Sequence, residues 1–156
     1  MIHIVDAQRE LIDQVAQTLR EADRRELYLA TGLDAEAALH ALMQQVPECQ
    51  LGFIERDGVI EPLGIFGLQV RPFHAGNSPF LLGCIAIDSC RLEFHRLAKE
   101  YVDAWKLCSS SLWNWVDVNN QPAIDWLEVL GFEVYEGSNS YGVLGAPFRY
   151  FEWRAH

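Results

Sequence analysis

Three apolar runs follow one another between residues 51 and 87 with only turns between them, and this spacing constrains the fold more than any other stretch of the chain. The run 51–56 leads into Asp57-Gly58, a hairpin dipeptide that supplies positive φ without strain. The run 63–70 returns, and Arg71-Pro72 stops it. After a loop at 74–78, residues 80–87 are continuously apolar and suit a buried central strand. Three strands this close in sequence predict a meander. Asp88 or Ser89 then caps a long helix whose apolar stripe is Leu92, Phe94, Leu97, Ala98, Tyr101, Val102 and Trp105.

Helical signals precede the meander and mixed signals follow it. Residues 2–5 read as a short first strand. Leu11, Ile12, Val15, Ala16 and Leu19 recur at helical spacing, followed by a charged exit at 20–25 and a turn of helix at 27–30 that Thr31-Gly32 breaks. Asp34 caps a second helix that Pro47 stops. Downstream of the long helix, 112–118 reads as a strand, and Asn119-Asn120-Gln121-Pro122 opens a short helix that Gly131 caps. Residues 132–135 begin a strand, 136–147 form a Gly-rich loop, and 148–153 are the last strand. No repeat or linker divides the 156 residues, which predict one α/β domain spanning 1–156.

Charge narrows the function classes. Twenty-two acids against 12 bases give a formal net charge of −10, which disfavours nucleic acid and anionic membranes as partners. The acids are scattered, so a mimic of nucleic acid is not indicated either. Residues 64–87 hold one base and no acid, and the helix from Asp88 to Lys106 is balanced, with four of each. No apolar run approaches the roughly 18 residues of a membrane span. Cys49, Cys84, Cys90 and Cys108 form no Cys-x-x-Cys pair, and the histidines have no ligand-like spacing to them, so reduced thiols, a cytoplasmic setting and no metal are expected.

The order strand, two helices, three meandering strands, long helix, strand, helix, two strands resembles the GNAT acyltransferase superfamily. The segment Asn120-Gln-Pro-Ala123-Ile124-Asp-Trp126-Leu127-Glu-Val-Leu130-Gly131-Phe132 is similar to that superfamily's late helix and the strand after it. The resemblance implies a GNAT-like mixed, mostly antiparallel central sheet of about six to seven strands flanked by about four helices. It also implies a site for acetyl-CoA, whose pyrophosphate such enzymes hold in a Gly-rich turn at the start of the long helix. Glycines let the backbone close on the anion, and free amides at the helix N-terminus point at it. The corresponding stretch here, Ile87-Asp88-Ser89-Cys90-Arg91-Leu92-Glu93-Phe94, has no glycine, and Asp88 sets a carboxylate where phosphates would lie. The tyrosine that protonates the leaving thiolate in many family members falls at Leu127, and neighbouring Trp126 offers only an indole donor.

A narrower resemblance accommodates both departures. Arg20-Glu21-Ala22-Asp23-Arg24-Arg25-Glu26-Leu27 with Thr31-Gly32-Leu33, and Trp113-Asn114-Trp115-Val116-Asp117-Val118-Asn119-Asn120, are similar to degenerate GNAT-like internal virion or assembly proteins of short-tailed, podovirus-type phages. This implies a non-catalytic protein acting through contacts with a protein partner such as a virion protein, in the host cytoplasm or the virion, with no cofactor. The alternative is an acyl-CoA-dependent N-acyltransferase, its acetyl-CoA held by an atypical turn.

Candidate residues follow from these readings. Asp88, Ser89, Arg91, Asn119 and Asn120 flank the expected cofactor cleft, where capping is the competing role for Asp88, Ser89 and both asparagines. Trp113, Trp115, Trp126 and Tyr141 are candidate partner contacts. The cluster 20–26 reads as a solvated helix end. A Cys84–His95 dyad is disfavoured, since Cys84 lies within an apolar run. No catalytic residue is assigned.

Overall fold

The computed structural model describes all 156 residues. Its strands are β1 (Ile2–Asp6), β2 (Gln50–Arg56), β3 (Val59–Val70), β4 (Asn77–Gly83), β5 (Ser111–Asp117), β6 (Glu133–Val134), β7 (Asn139–Tyr141) and β8 (Ala146–Arg154). The helices are α1 (Arg9–Thr18), α2 (Glu21–Thr31), α3 (Ala35–Gln45), α4 (Arg91–Leu107) and α5 (Gln121–Val129). The sheet runs β1-β2-β3-β4-β5-β8-β6, with β7 added on β8. Every pairing is antiparallel except β4 with β5. The predicted meander is therefore β2-β3-β4, and the mixed, mostly antiparallel α/β class holds, with eight strands and five helices where about six to seven and about four were expected.

Strand alternation, shifted on β3 by an irregularity that leaves Leu63 unpaired between Pro62 and Gly64, assigns the two faces. Leu51, Phe53 and Ile65 point to one side, where Ile12, Val15, Leu19 and Leu39 of the N-terminal helical segment bury against them. Ile54 and Leu63 point to the other side and meet Ile87 and Phe94. Further along that side, Leu112 and Val116 of β5 pack with Val102 of α4 and Ile124 of α5. Helices α1–α3 thus cover one face and α4–α5 the other.

Four local expectations are corrected. The charged exit after Leu19 is a separate helix, α2: Leu19 and Arg20 take extended ψ angles of 143° and 147°, Leu19 bridges Cys84, and the Arg20 amide donates to the Gly83 carbonyl at 2.9 Å. A tertiary bond breaks the helix where no glycine or proline marks a stop. The apolar run 80–87 does not stay extended; β4 ends at Gly83 and a 3-10 turn, Ile85–Ser89, follows. Neither Asp88 nor Ser89 caps the long helix. Asp88 belongs to that turn, and Cys90 stands at the N-cap of α4 with no side-chain hydrogen bond. The Gly-rich loop contains β7, and it docks on α2 through the Val143 amide, which donates to the Ala30 carbonyl at 3.1 Å.

Candidate active site

The parallel junction between β4 and β5 is joined at one register position, Asn77 opposite Leu112. Beyond it the strands splay, and a cavity of about 320 Å³ opens through the sheet. Pro79, Leu81 and Leu82 line it from β4, Asn114 and Val116 from β5, α2 from one face and α4–α5 from the other. Pro79 turns its carbonyl toward β5, where the Asn114 side-chain amide donates to it at 3.0 Å. Because the β3–β4 register is unbroken, the same alternation turns the Leu81 N–H and C=O into the splay. Main-chain groups on an open strand edge are what an extended ligand needs to add itself to the sheet.

Four charged side chains line this cavity: Arg20, Asp23, Glu26 and Arg71. Arg20 and Asp23 neutralise each other, Nε donating to Oδ2 at 2.7 Å with Asp23 buried. Glu26 has no cationic partner. Its Oε1 accepts the Asp117 amide at 2.7 Å, and the side chain is half-buried with the cavity beside it. Desolvation, reinforced by the charges of Asp23 and Asp117, pushes its carboxyl up to about 7 against the partial relief of the Asp117 amide. Asp117, itself buried, accepts from Arg25 Nε at 3.2 Å and from the Asn119 amide at 3.1 Å. Asn120 is buried with its Nδ2 unpartnered, close enough to Glu26 to favour the ionised carboxylate.

The start of α4 decides whether the residues present fit an acyl-CoA. The first helical bond is that of the Phe94 amide to the Cys90 carbonyl, so the amides of Arg91, Leu92 and Glu93 precede it, uncapped by any side chain. Asp88 is turned to Arg91, its Oδ1 accepting from Nη2 at 2.9 Å, and so is withdrawn from those amides. Arg56 reaches the same turn, donating to the Ser89 carbonyl at 3.0 Å. The unpaired guanidinium of Arg56, the remaining N–H groups of Arg91 and an uncapped helix N-terminus suit a pyrophosphate without glycine. The donor set fits.

The other predicted residues separate. Ser89 Oγ donates to the Ala86 carbonyl at 2.6 Å. Asn119 is exposed, whereas Asn120 caps α5 by accepting the Ala123 amide at 3.4 Å. Trp113, Trp115 and Tyr141 share the face opposite α5, with Tyr141 stacked on Trp115 at 5.5 Å. Trp126 lies on the α4–α5 side and donates its indole N–H to His95 Nδ1 at 3.0 Å. His95 is thereby committed, and burial pushes the Cys84 thiol up to about 11, so the two form no dyad. Away from the cavity, Asp13, Glu36 and His40 come together on α1 and α3, held by a 3.0 Å His40–Asp13 contact.

Glu26 and Arg71 are what sequence reasoning missed. Glu26 was read within a solvated helix end, yet Asp23, Leu27 and Ala30 recur at helical spacing and mark that side of α2 as inward. Arg71 is the sole charged residue between Glu61 and Asp88, an isolation that could have drawn notice.

No family model matches the chain, and no curated protein matches it. Solved structures do, over nearly the whole length. The chain is similar to spermidine N-acetyltransferase from Vibrio cholerae, solved in complex with CoA and spermine, at a TM-score of 0.68 and 10% identity over 98% of this chain and 95% of that one. It is similar to Ard1 from Thermoplasma volcanium at 0.66 and 16% identity, covering 99% and 98%. It is also similar to the ribosomal-protein-S18-alanine N-acetyltransferase from Escherichia coli at 0.60 and 16% identity, covering 99% and 94%. These likenesses overturn the expectation of a fold without cofactor, which rested on a missing glycine turn and a capping Asp88 that the structure does not contain. Nothing in them points to a virion protein.

Proposed function

We propose, starting from a chain that folds as the GNAT N-acetyltransferases do, that the protein transfers an acyl group from an acyl-CoA to an amine. The observation that carries this reading is the cavity through the β4–β5 splay with Glu26, its unpaired carboxylate, on the wall.

The Leu81 main chain would hold the extended arm of the CoA, and the first-turn amides of α4 with Arg56 and Arg91 its pyrophosphate. When bound, the acyl-CoA supplies an activated thioester. Glu26 prepares the acceptor. An amine arrives from water as an ammonium ion and has no lone pair to attack with until it loses a proton. A carboxylate titrating near neutrality is ionised in an appreciable fraction of molecules at pH 7 and is basic enough to take that proton. Because Oε1 is held by the Asp117 amide, the proton goes to Oε2. The Asp117 amide and the Asn120 side chain fix the carboxylate's position against the cavity.

Thiol release from acetyl-CoA with a panel of amines tests the reading. Glu26→Gln should lower kcat by about 10²- to 10⁴-fold and leave acetyl-CoA affinity unchanged. Wild-type turnover should rise with pH through about 7 and lose that limb in the variant. A variant as fast as wild type, or a wild-type protein that neither binds nor turns over acetyl-CoA, would sink it.

A further inference from the structure

The cavity that holds Glu26 also holds a cation with no anion. Arg71 lies just past the end of β3, half-buried, and makes no ion pair. It is nevertheless firmly placed. Its backbone amide donates to Asn77 Oδ1 at 3.2 Å, its Nε donates to the buried Ser78 Oγ at 3.3 Å, and its guanidinium sits 5.2 Å above the Trp113 ring. The two Nη atoms, the outer prongs of the fork, have no acceptor in the protein. A guanidinium anchored through Nε and presenting two free N–H prongs matches the two oxygens of a carboxylate.

Glu26 and Arg71 act across the same space. The Tyr141 phenol feels both: burial, the dominant influence, raises its pKa, Arg71 lowers it and Glu26 raises it. Tyr141 stacks on Trp115, so the wall beside the two charges is aromatic. Of the 37 residues lining the cavity, 26 are hydrophobic, which excludes a polar body for whatever joins the two charged ends. With Arg20 and Asp23 satisfied by each other, the cavity offers a ligand one place for an amine, one for an anion, and an apolar wall.

We infer that the acceptor is an amino acid with an apolar side chain, its amine brought to Glu26 and its carboxylate gripped by the Nη prongs of Arg71. This rests on the N-acyltransferase reading above and names the substrate class of that site. The step is balanced: Glu26 takes the ammonium proton, the amine nitrogen forms an amide with the acyl carbon, the carbon–sulfur bond breaks, and the second nitrogen proton passes to the departing sulfur, so that CoA leaves as the thiol. A polyamine or a simple alkylamine would leave Arg71 facing an apolar cavity unpaired, and a protein N-terminus brings no free carboxylate beside its amine.

Calorimetry and turnover together test this with three probes: phenylalanine, phenethylamine, which lacks the carboxylate, and phenylacetate, which lacks the amine. In the wild-type protein, phenylalanine should bind in the absence of acyl-CoA, and its kcat/KM with acetyl-CoA should exceed that of phenethylamine by more than about 100-fold. Arg71→Met should remove that preference through KM, lowering kcat/KM for phenylalanine by about 100-fold while phenethylamine is unaffected. Arg71→Lys, which keeps the charge without the fork, should restore part of it. Circular dichroism and retained acetyl-CoA affinity confirm that each variant is folded. Phenethylamine acylated as well as phenylalanine, or Arg71→Met without effect on KM, would overturn the amino-acid assignment and leave the acyltransferase standing. Acetyl-CoA that neither binds nor turns over would remove the acyltransferase reading itself; failure of phenylalanine to bind in calorimetry would overturn the assignment in either case.

Discussion

Glu26 is a carboxylate that folding penalises. Its proton-binding midpoint rises from the ordinary 4.5 to about 7, so between those values the folded protein holds a proton that the unfolded chain has released. Stability from this group is therefore greatest at low pH and declines as pH rises from about 4.5 to about 7, the reverse of a salt-bridged carboxylate. A shift of that size corresponds to a penalty of up to about 3 kcal/mol once the group is ionised. Glu26→Gln should accordingly raise Tm relative to wild type at about pH 8 and much less at about pH 5. A variant less stable than wild type at the higher pH would show that the carboxylate is held by a cation instead. Asn120 gives a second test. Asn120→Asp keeps a cap for α5 but sets another negative charge beside Glu26, so the pH at which turnover rises should move upward. Asn120→Ala should cost about 1 kcal/mol through the lost cap. The cap was legible in the chain itself, but the place of either residue beside the cavity was not. A charged run such as 20–26 reads as solvated because nothing local reveals that β5 and the β7–β8 loop will cover one side of it.

At the scale of elements, the hairpin, the capping Asn120 and the stop at Gly131 were readable, because each depends on residues within a turn of one another. The elements that shape the cavity were not. The break between α1 and α2 is set by Leu19 and Arg20 meeting Cys84 and Gly83 more than sixty residues away. The run 80–87 is apolar throughout, so its change from strand to 3-10 turn leaves no mark in the pattern. The loop after β7 closes the α2 side of the cavity by a contact that only glycine permits. A Cβ on Gly142, at φ +72°, would stand 2.5 Å from the Ala30 carbonyl oxygen. Gly142→Ala should therefore cost about 1–3 kcal/mol and undock the loop. Hydrogen exchange at the Val143 amide should quicken while amides in the middle of β8 are unchanged; unchanged exchange at Val143 would show that the loop is held by something else.

For the whole molecule, the order of elements carried the α/β class and the mixed sheet, since a meander, a long helix and two late strands leave few ways to bury their apolar faces. The cofactor expectation failed because it treated a glycine motif as the only way to hold a pyrophosphate. An uncapped helix start with Arg56 beside it, and Arg91 paired with Asp88, offers donors for such a group through different residues. The net charge of −10 does not enter, because the stretch from Asp88 to Lys106 is balanced and the charge lies elsewhere.

Hydrogen exchange at the Leu81 amide, with and without CoA, tests the account most directly. If CoA lies along the open edge of β4, exchange at Leu81 should slow by about tenfold or more. Phe80, whose amide already faces β3, should change little. No binding at millimolar CoA, or binding that protects other segments and leaves Leu81 unchanged, would contradict it.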